Sequence, residues 1–363
     1  MFRILLLSPY SGVVGGISRW TEHIKNYRDN IGDTTVNIKI SDSGRSVLVN
    51  TDKYWNRLYS AYKDYRKILA EYVRNIKLFK PDVVHIVSSS SLGLFRDIVC
   101  IRLAKRNGAG TVVHFHFGRI PKLALQNNWE WKLLCKTIRI SDKTIVIDSA
   151  SYNTLKNKGF RDKTVYLPNP VAPEIEEIIQ RQGDVRRKER KIVFAGHVIR
   201  TKGVFELVEA CCSIPDITLS IIGKVDDATN DELLKLAARK GDAEWLDIQK
   251  EQPYEKVIYE MRSAAVFTLP SYTEGFPNVI LESMICECPI VATSVGAIPE
   301  MLADNAGIVI EPQNAESLKE ALTYVLDHKA EAERMGKKAS ERVKSKYSMN
   351  VVWKQLTDIW KNV

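Results

Sequence analysis

Short apolar runs, rich in Val and Ile, recur along the chain, each followed by a segment with helical spacing. The first half holds RILLLS (3–8), DVVHIVS (82–88), GTVVHFHF (110–117), KTIVID (143–148) and KTVYLP (163–168). Runs this continuous leave no polar face for solvent, so they read as parallel strands covered by helices on both sides. Between them, Leu58, Tyr62, Tyr65, Leu69, Tyr72 and Ile76 predict a helix with one apolar seam. Strand alternating with helix implies a doubly wound α/β sheet.

The rhythm breaks after Leu167, where Pro168, Pro170 and Pro173 are followed by the charged run DVRRKERK (184–191). It restarts with KIVFAG (191–196), ITLSIIG (217–223), AAVFTLP (264–270), PIVATS (289–294) and AGIVIE (306–311). With 363 residues, 45% of them hydrophobic, the chain is long enough for two cores. The expected organisation is a domain at 1–168, a linker at 169–190 and a second domain at 191–347. Two such halves would leave a cleft between them, with ligands at the carboxyl ends of the strands. The last segment, NVVWKQLTDIWKNV, reads as an amphipathic helix.

The six cysteines form no CxxC pair, so they read as reduced thiols of a cytoplasmic chain. The apolar run at Ile4–Leu7 is too short for a secretion signal, and no stretch reaches the ~18 residues of a membrane span. A formal charge of +9 favours an anionic partner without choosing among nucleotide, membrane and nucleic acid.

Three loops carry candidate chemistry. In SPYSGVVGGISRW, Gly12, Gly15 and Gly16 follow the first strand, where backbone can approach a ligand; the spacing is not the GxGxxG of a dinucleotide site. In FAGHVIRTKG, His197, Arg200 and Lys202 precede a helix start, an arrangement that an anion would stabilise. The most specific string is SYTEGFPNVILESM. Glu274 follows a strand, Gly275 lets the backbone turn, Pro277 suits a first helical turn, and Glu282 lies eight residues after Glu274. Free N–H groups at that helix start would bind an anion, and the two carboxylates would accept hydrogen bonds from vicinal hydroxyls of a sugar or ribose. There is no DxD triplet and no cluster with metal-ligand spacing, so no metal and no other cofactor is expected.

The E-x7-E string, with GGISR, PDVVHIVS, VVHFHFG, LPNPV, GHVIRTKG and GAIPE, resembles the retaining glycosyltransferases of family 4 over nearly the whole chain. The resemblance implies the GT-B fold, two Rossmann-like domains facing a cleft, and a nucleotide-sugar donor, most often a UDP-sugar. It implies that Glu282 bonds the ribose hydroxyls, Glu274 the transferred sugar, and the backbone of Gly275, Phe276, Pro277 and Asn278 the sugar and phosphates. Lys202 would neutralise the departing diphosphate. His197 stands where many members carry Arg, so the second phosphate contact falls to His197 or Arg200. Gly16 would line the phosphate side, and His116 would lie beside the reacting sugar. The segment 348–363 would cross back onto the first domain. His85 is assigned a structural role, and His114 is expected to face the opposite side of the sheet from His116.

From Lys53 to Lys80 there are eight Lys or Arg against two acids, interleaved with Tyr54, Trp55, Tyr59, Tyr62, Tyr65 and Tyr72. Such a helix suits an anionic membrane surface, with Trp129, Trp131, Lys132 and Lys136 as a second cluster. The expected activity is therefore retaining, metal-independent hexosyl transfer to a glycan or lipid-linked acceptor in bacterial surface polysaccharide assembly, by a peripheral membrane enzyme. Rival readings are a GT-B epimerase and a non-enzymatic membrane- or nucleic-acid-binding protein; no nucleic-acid motif is present.

Overall fold

The structure, a computed structural model, describes residues 1–10, 15–44 and 54–363, the side chains at 54–62 and 240 excepted. Two compact units result. Unit 1 comprises Met1–Asn169 with Val352–Val363, and unit 2 comprises Pro170–Val351. Each is built on a six-stranded, wholly parallel sheet flanked by helices. Gly12 and Lys53, singled out above, lie outside the described residues, as do the side chains of Tyr54, Trp55, Tyr59 and Tyr62.

Unit 1 contains β1 (Phe2–Ser8), β2 (Val36–Asp42), β3 (Val83–Ser88), β4 (Gly110–Phe115), β5 (Lys143–Val146) and β6 (Thr164–Tyr166), in the order β2-β1-β3-β4-β5-β6. Side chains alternate across each strand. Leu5, Leu7, Val84, Ile86, Val113 and Phe115 join Tyr72, Ile76, Ile101 and Leu134 from helices on one face. The residues between them, Ile4, Leu6, His85, Val112 and His114, are equally buried. His85 and His114 meet Trp20 from the helix Gly16–Asn30, and His85 also meets Trp360 from the helix Met349–Lys361. Trp360 donates to His85 Nδ1 at 2.9 Å, and Trp353 donates to Asp33 at 3.2 Å. The closing amphipathic helix thus buries its indoles in unit 1. Strand β2 has no counterpart among the expected strands. It is an edge strand with half-exposed side chains, so VNIKISD never forms an unbroken apolar run.

From the helix Tyr54–Phe79, Ile68, Tyr72 and Ile76 go into the core. Tyr72 is fully buried, and its hydroxyl donates to the Cys100 carbonyl at 2.8 Å. Its ring is therefore not available to a membrane, whereas Lys63, Arg66, Lys67, Arg74, Lys77 and Lys80 are exposed. In the helix Trp129–Ile140, Trp129 is exposed with Lys132 and Lys136, but Trp131 is buried. Among the described residues no helix is long and apolar enough to cross a membrane.

Past β3 the chain turns through Ser90 and Ser91, both left-handed at φ 73° and 56°. Side chains with a Cβ rarely adopt that backbone, and Glu130 holds it there. Glu130 accepts from Ser90 Oγ at 2.7 Å, from Ser91 N at 2.7 Å, and from both terminal nitrogens of Arg119. Burial alone would raise its pKa; these hydrogen bonds outweigh burial and hold it at about 2. A carboxyl depressed this far contributes on the order of 3 kcal/mol above its unfolded pKa, lost as pH falls towards the folded value. Glu130→Gln is expected to lower the melting temperature at pH 7. The gap between variant and wild type should close as pH drops from about 5 towards 2, measured by thermal denaturation across that range.

Unit 2 contains β7 (Lys191–Ala195), β8 (Thr218–Ile222), β9 (Leu246–Gln249), β10 (Val266–Leu269), β11 (Ile290–Thr293) and β12 (Ile308–Ile310), in the order β12-β11-β10-β7-β8-β9. Connections from β7 run outward through β8 and β9, then return to β10 on the opposite flank of β7. Between β7 and β10 the strand order reverses, and loops leaving these strands diverge. Strand β9, four residues at the edge, is also absent from the apolar runs. The stretch expected as a linker holds the helix Glu174–Gln182, whose Ile175 and Ile178 are buried. Three glutamates in its first turn complement the helix dipole. Arg187, in the charged run that follows, bonds the carbonyls of Ala264 at 2.9 Å and Glu287 at 2.6 Å.

Candidate functional site

Both loops that leave the reversal point of unit 2 carry the predicted residues. After β7 the chain passes Gly196 and His197 and makes a short 3-10 turn over Arg200–Lys202. Gly203 follows at φ 71° and starts the helix Val204–Cys211. A Cβ at Gly203 would lie 2.0 Å from the Pro270 carbonyl oxygen, so the β7 loop closes onto the end of β10 only because this residue is glycine. Tyr272 N donates to the Thr201 carbonyl at 2.9 Å, and Thr293 Oγ1 donates to the Ser271 carbonyl at 2.6 Å. A third loop, after β11, approaches at Gly296. There φ is 58°, and a Cβ would meet the carbonyl oxygens of Glu274 and Gly275 at 2.5 and 2.6 Å. Ala297 N donates to Gly275 O at 2.9 Å.

These backbone ties bring Lys202 and Glu274 together. Lys202 Nζ donates to Glu274 Oε1 at 2.6 Å, with the two side chains 26% and 10% exposed. A cation and an anion this little exposed are stronger electrostatic elements than a surface pair. Directly after Glu274, Gly275, Phe276 and Pro277 lead into the helix Asn278–Ile285, whose first turn has no side-chain cap. Its N-terminal N–H groups are the kind that bind anions. The Phe276 ring packs on Tyr347 at 5.7 Å, leaving its backbone as the part that could serve a ligand. Asn278 Oδ1 is buried with no hydrogen-bond partner among the described residues. One turn further, Glu282 is 6% exposed and accepts from the Tyr254 hydroxyl at 3.2 Å. Burial, and then the Glu282 carboxylate, push the Tyr254 phenol upward, so it stays protonated.

The remaining cations are disposed differently. Arg200 pairs with Glu232 at 3.5 Å, and its guanidinium lies 4.0 Å from the centre of the Phe205 ring. His197 is exposed. Among the described residues no group of three or more His, Cys, Asp or Glu is arranged to hold a metal ion.

Gly16 and His116 belong to unit 1. Gly16 is exposed at the start of the helix Gly16–Asn30, and one turn on the Trp20 ring lies 5.0 Å from His116. His114 does not face away from His116: their rings are 3.9 Å apart, and both contact Trp20. The expectation failed on simple geometry, since a period of two returns residues i and i+2 to the same face. His116 is held neutral by burial at about 3, and His85 likewise by burial and then by His116. His114 is lowered further, first by burial and then by both neighbours. The structural role assigned to His85 agrees with its bond to Trp360. Tyr254, Trp20 and Glu130 were not singled out beforehand. Trp20 alone had a signal, one helical turn after Gly16.

A parallel sheet with the strand order of β7–β12 and helices on both sides defines a class, the Rossmann-like domains. The comparison with known proteins narrows it. Residues 34–175 match the family model for glycosyltransferase family 4, and residues 175–342 match the model for glycosyl transferases group 1. The two matches adjoin and together take in most of the chain, which therefore belongs to the group 1, family 4 glycosyltransferases. A Bacillus subtilis glycosyltransferase named TuaC, for teichuronic acid biosynthesis, is 30% identical over 150 residues, 41% of this chain and 36% of that protein. The chain thus matches about a third of that relative's length. Among solved structures, sucrose-phosphate synthase from Thermosynechococcus elongatus has a TM-score of 0.77 at 17% identity, covering 100% of this chain and 99% of the other. Anabaena HepE in complex with UDP has a TM-score of 0.71 at 16% identity, covering 100% of both. At these identities the likeness shows the fold, which is GT-B.

Gly203→Ala combines an unfavourable left-handed backbone with a clash against Pro270. It is expected to cost about 2 kcal/mol or more, read as a lowered urea midpoint with unchanged slope.

Proposed function

We propose that the chain moves a hexose-type sugar from a nucleotide-sugar donor to a glycan or lipid-linked acceptor, with retention at the anomeric carbon, and that unit 2 holds the donor. The observation that carries this reading is the Lys202–Glu274 pair at the reversal point of the sheet, next to an uncapped helix start. Breaking the bond between the anomeric carbon and the diphosphate builds negative charge on the leaving group and positive character on the sugar. Lys202 and the helix N–H groups stabilise the first. Glu274 accepts hydrogen bonds from the sugar hydroxyls, and Glu282 accepts from the ribose. Arg200 or His197 supplies a second phosphate contact. Retention fits attack from the face the diphosphate leaves, with a leaving phosphate oxygen taking the acceptor's proton. Lys202 provides the counter-charge, so no metal ion is required. The UDP complex of HepE supports a uridine donor, and TuaC's name supports a surface polysaccharide as product. In unit 1 the neutral His116 is suited to exchange hydrogen bonds with a sugar hydroxyl without adding charge, and Gly16 lets backbone approach the phosphates.

The test is released nucleotide diphosphate from a panel of UDP-, GDP- and ADP-sugars. Lys202→Met is expected to lower kcat by on the order of 100-fold, and Glu274→Gln by a similar factor, with folding intact. Turnover should survive EDTA. Wild-type rates in K202M, or an EDTA-abolished rate restored by Mn2+, would defeat this reading.

The acceptor reading includes a membrane surface. Lys63, Arg66, Lys67, Arg74 and Lys77 on one helix, Lys80 just past its end, and Trp129, Lys132 and Lys136 on another helix, are exposed. Each cation near anionic lipid contributes about 1 kcal/mol. Flotation with phosphatidylglycerol vesicles should exceed flotation with phosphatidylcholine and weaken in Trp129→Ala; equal flotation on both lipids would remove the membrane from the proposal.

A further inference from the structure

Glu282 sits inside a helix whose every residue from Ile280 to Ile285 is buried. The helix fixes where its Cβ lies but not the plane of its carboxylate, because the terminal torsion of a Glu side chain is broad. Something else must set that plane if the group is to accept two hydroxyls at once. Tyr254 is in place to do so. It opens the helix Tyr254–Ser263 directly after Pro253, and that helix packs against both β7 and the Glu282 helix. Its half-buried hydroxyl donates to Glu282 Oε1 at 3.2 Å. A carboxylate has about four lone-pair sites, so one bond from a phenol orients the group without exhausting it.

We infer that Tyr254 is a positioning residue of the donor site: its hydroxyl orients the Glu282 carboxylate to read the vicinal 2′- and 3′-hydroxyls of the donor's ribose. This rests on the donor site proposed above. Nothing in the string QPYEKV marks the tyrosine, since its partner lies 28 residues away on another helix. A site whose buried acceptor is aimed at two hydroxyls also discriminates against a ligand that lacks them, because the acceptor is then left unpaired.

The experiment is calorimetric binding of UDP and of 2′,3′-dideoxy-UDP to the full chain, with GDP and ADP and their dideoxy forms if the wild type prefers one of those. Wild type is expected to favour the ribonucleotide on the order of 100-fold. Tyr254→Phe keeps the ring and removes the donor. It should cut that preference to about tenfold while changing the dideoxy affinity less than about twofold. A merely structural role would weaken both ligands together and leave their ratio unchanged. Glu282→Gln, measured in parallel, should lose the preference with Tyr254 intact. An E282Q protein that still discriminates overturns the inference even if Y254F cannot be purified. If wild type and E282Q behave as expected but Y254F retains the full ratio, the inference fails and the donor site stands. If wild type binds no nucleotide, the donor site itself fails.

Discussion

Backbone contacts between loops place Lys202 and Glu274 within reach of each other. The Tyr272–Thr201 hydrogen bond, the contact of Gly203 with Pro270 and the Ala297–Gly275 bond tie three loops that would otherwise diverge from β7, β10 and β11. An ion pair at this degree of burial loses hydration on both partners, so its Coulombic gain is largely offset. It contributes little net stability, and its value lies in leaving a cation and an anion fixed beside a helix N-terminus. A ligand carrying both phosphate and hydroxyl groups can take over each half of the pair with a partner of its own. Oriented charges in place before a reaction need no reorganisation when charge develops, and that is where electrostatic catalysis gains most.

Unit 1 is organised around rings instead of charges. Trp20, His85, His114, His116 and Trp360 form a continuous contact chain on one face of its sheet. Burial keeps all three imidazoles neutral. Burying a charged histidine here would cost several kcal/mol. The C-terminal helix depends on the same cluster, since Trp360 bonds His85 directly. Elsewhere in unit 1, Glu130 holds two serines in a backbone that neither would adopt alone. Strain of this kind survives only where the surroundings over-determine it.

The amino-acid pattern settled the architecture wherever burial was complete. Continuous apolar runs announced the interior strands β1, β3, β4, β5, β7, β8, β10 and β11, because a parallel strand covered on both faces has no polar positions to dilute the signal. Strands β2 and β9 escaped notice because polar residues, Asn37 and Lys39 in one and Asp247 and Gln249 in the other, interrupt their apolar positions. The proline-broken stretch after Leu167 hid a helix, since Pro173 is compatible with a helix start and the buried positions are only Ile175 and Ile178. The local logic of EGFPNVILE was also readable: an acid after a strand, a flexible residue, a proline and a helix start follow from residue type and spacing alone.

What tertiary structure decided is every pairing between positions distant along the chain. That Lys202 meets Glu274, that Arg200 turns to Glu232, that Tyr254 bonds Glu282 and that Trp360 reaches His85 depends on which strands lie side by side and which loops are tied. Periodicity reports whether a residue faces a core, because burial acts on each residue separately. It carries no record of the partner on another element, and a hydrogen bond exists only when both ends are placed within a few tenths of an ångström.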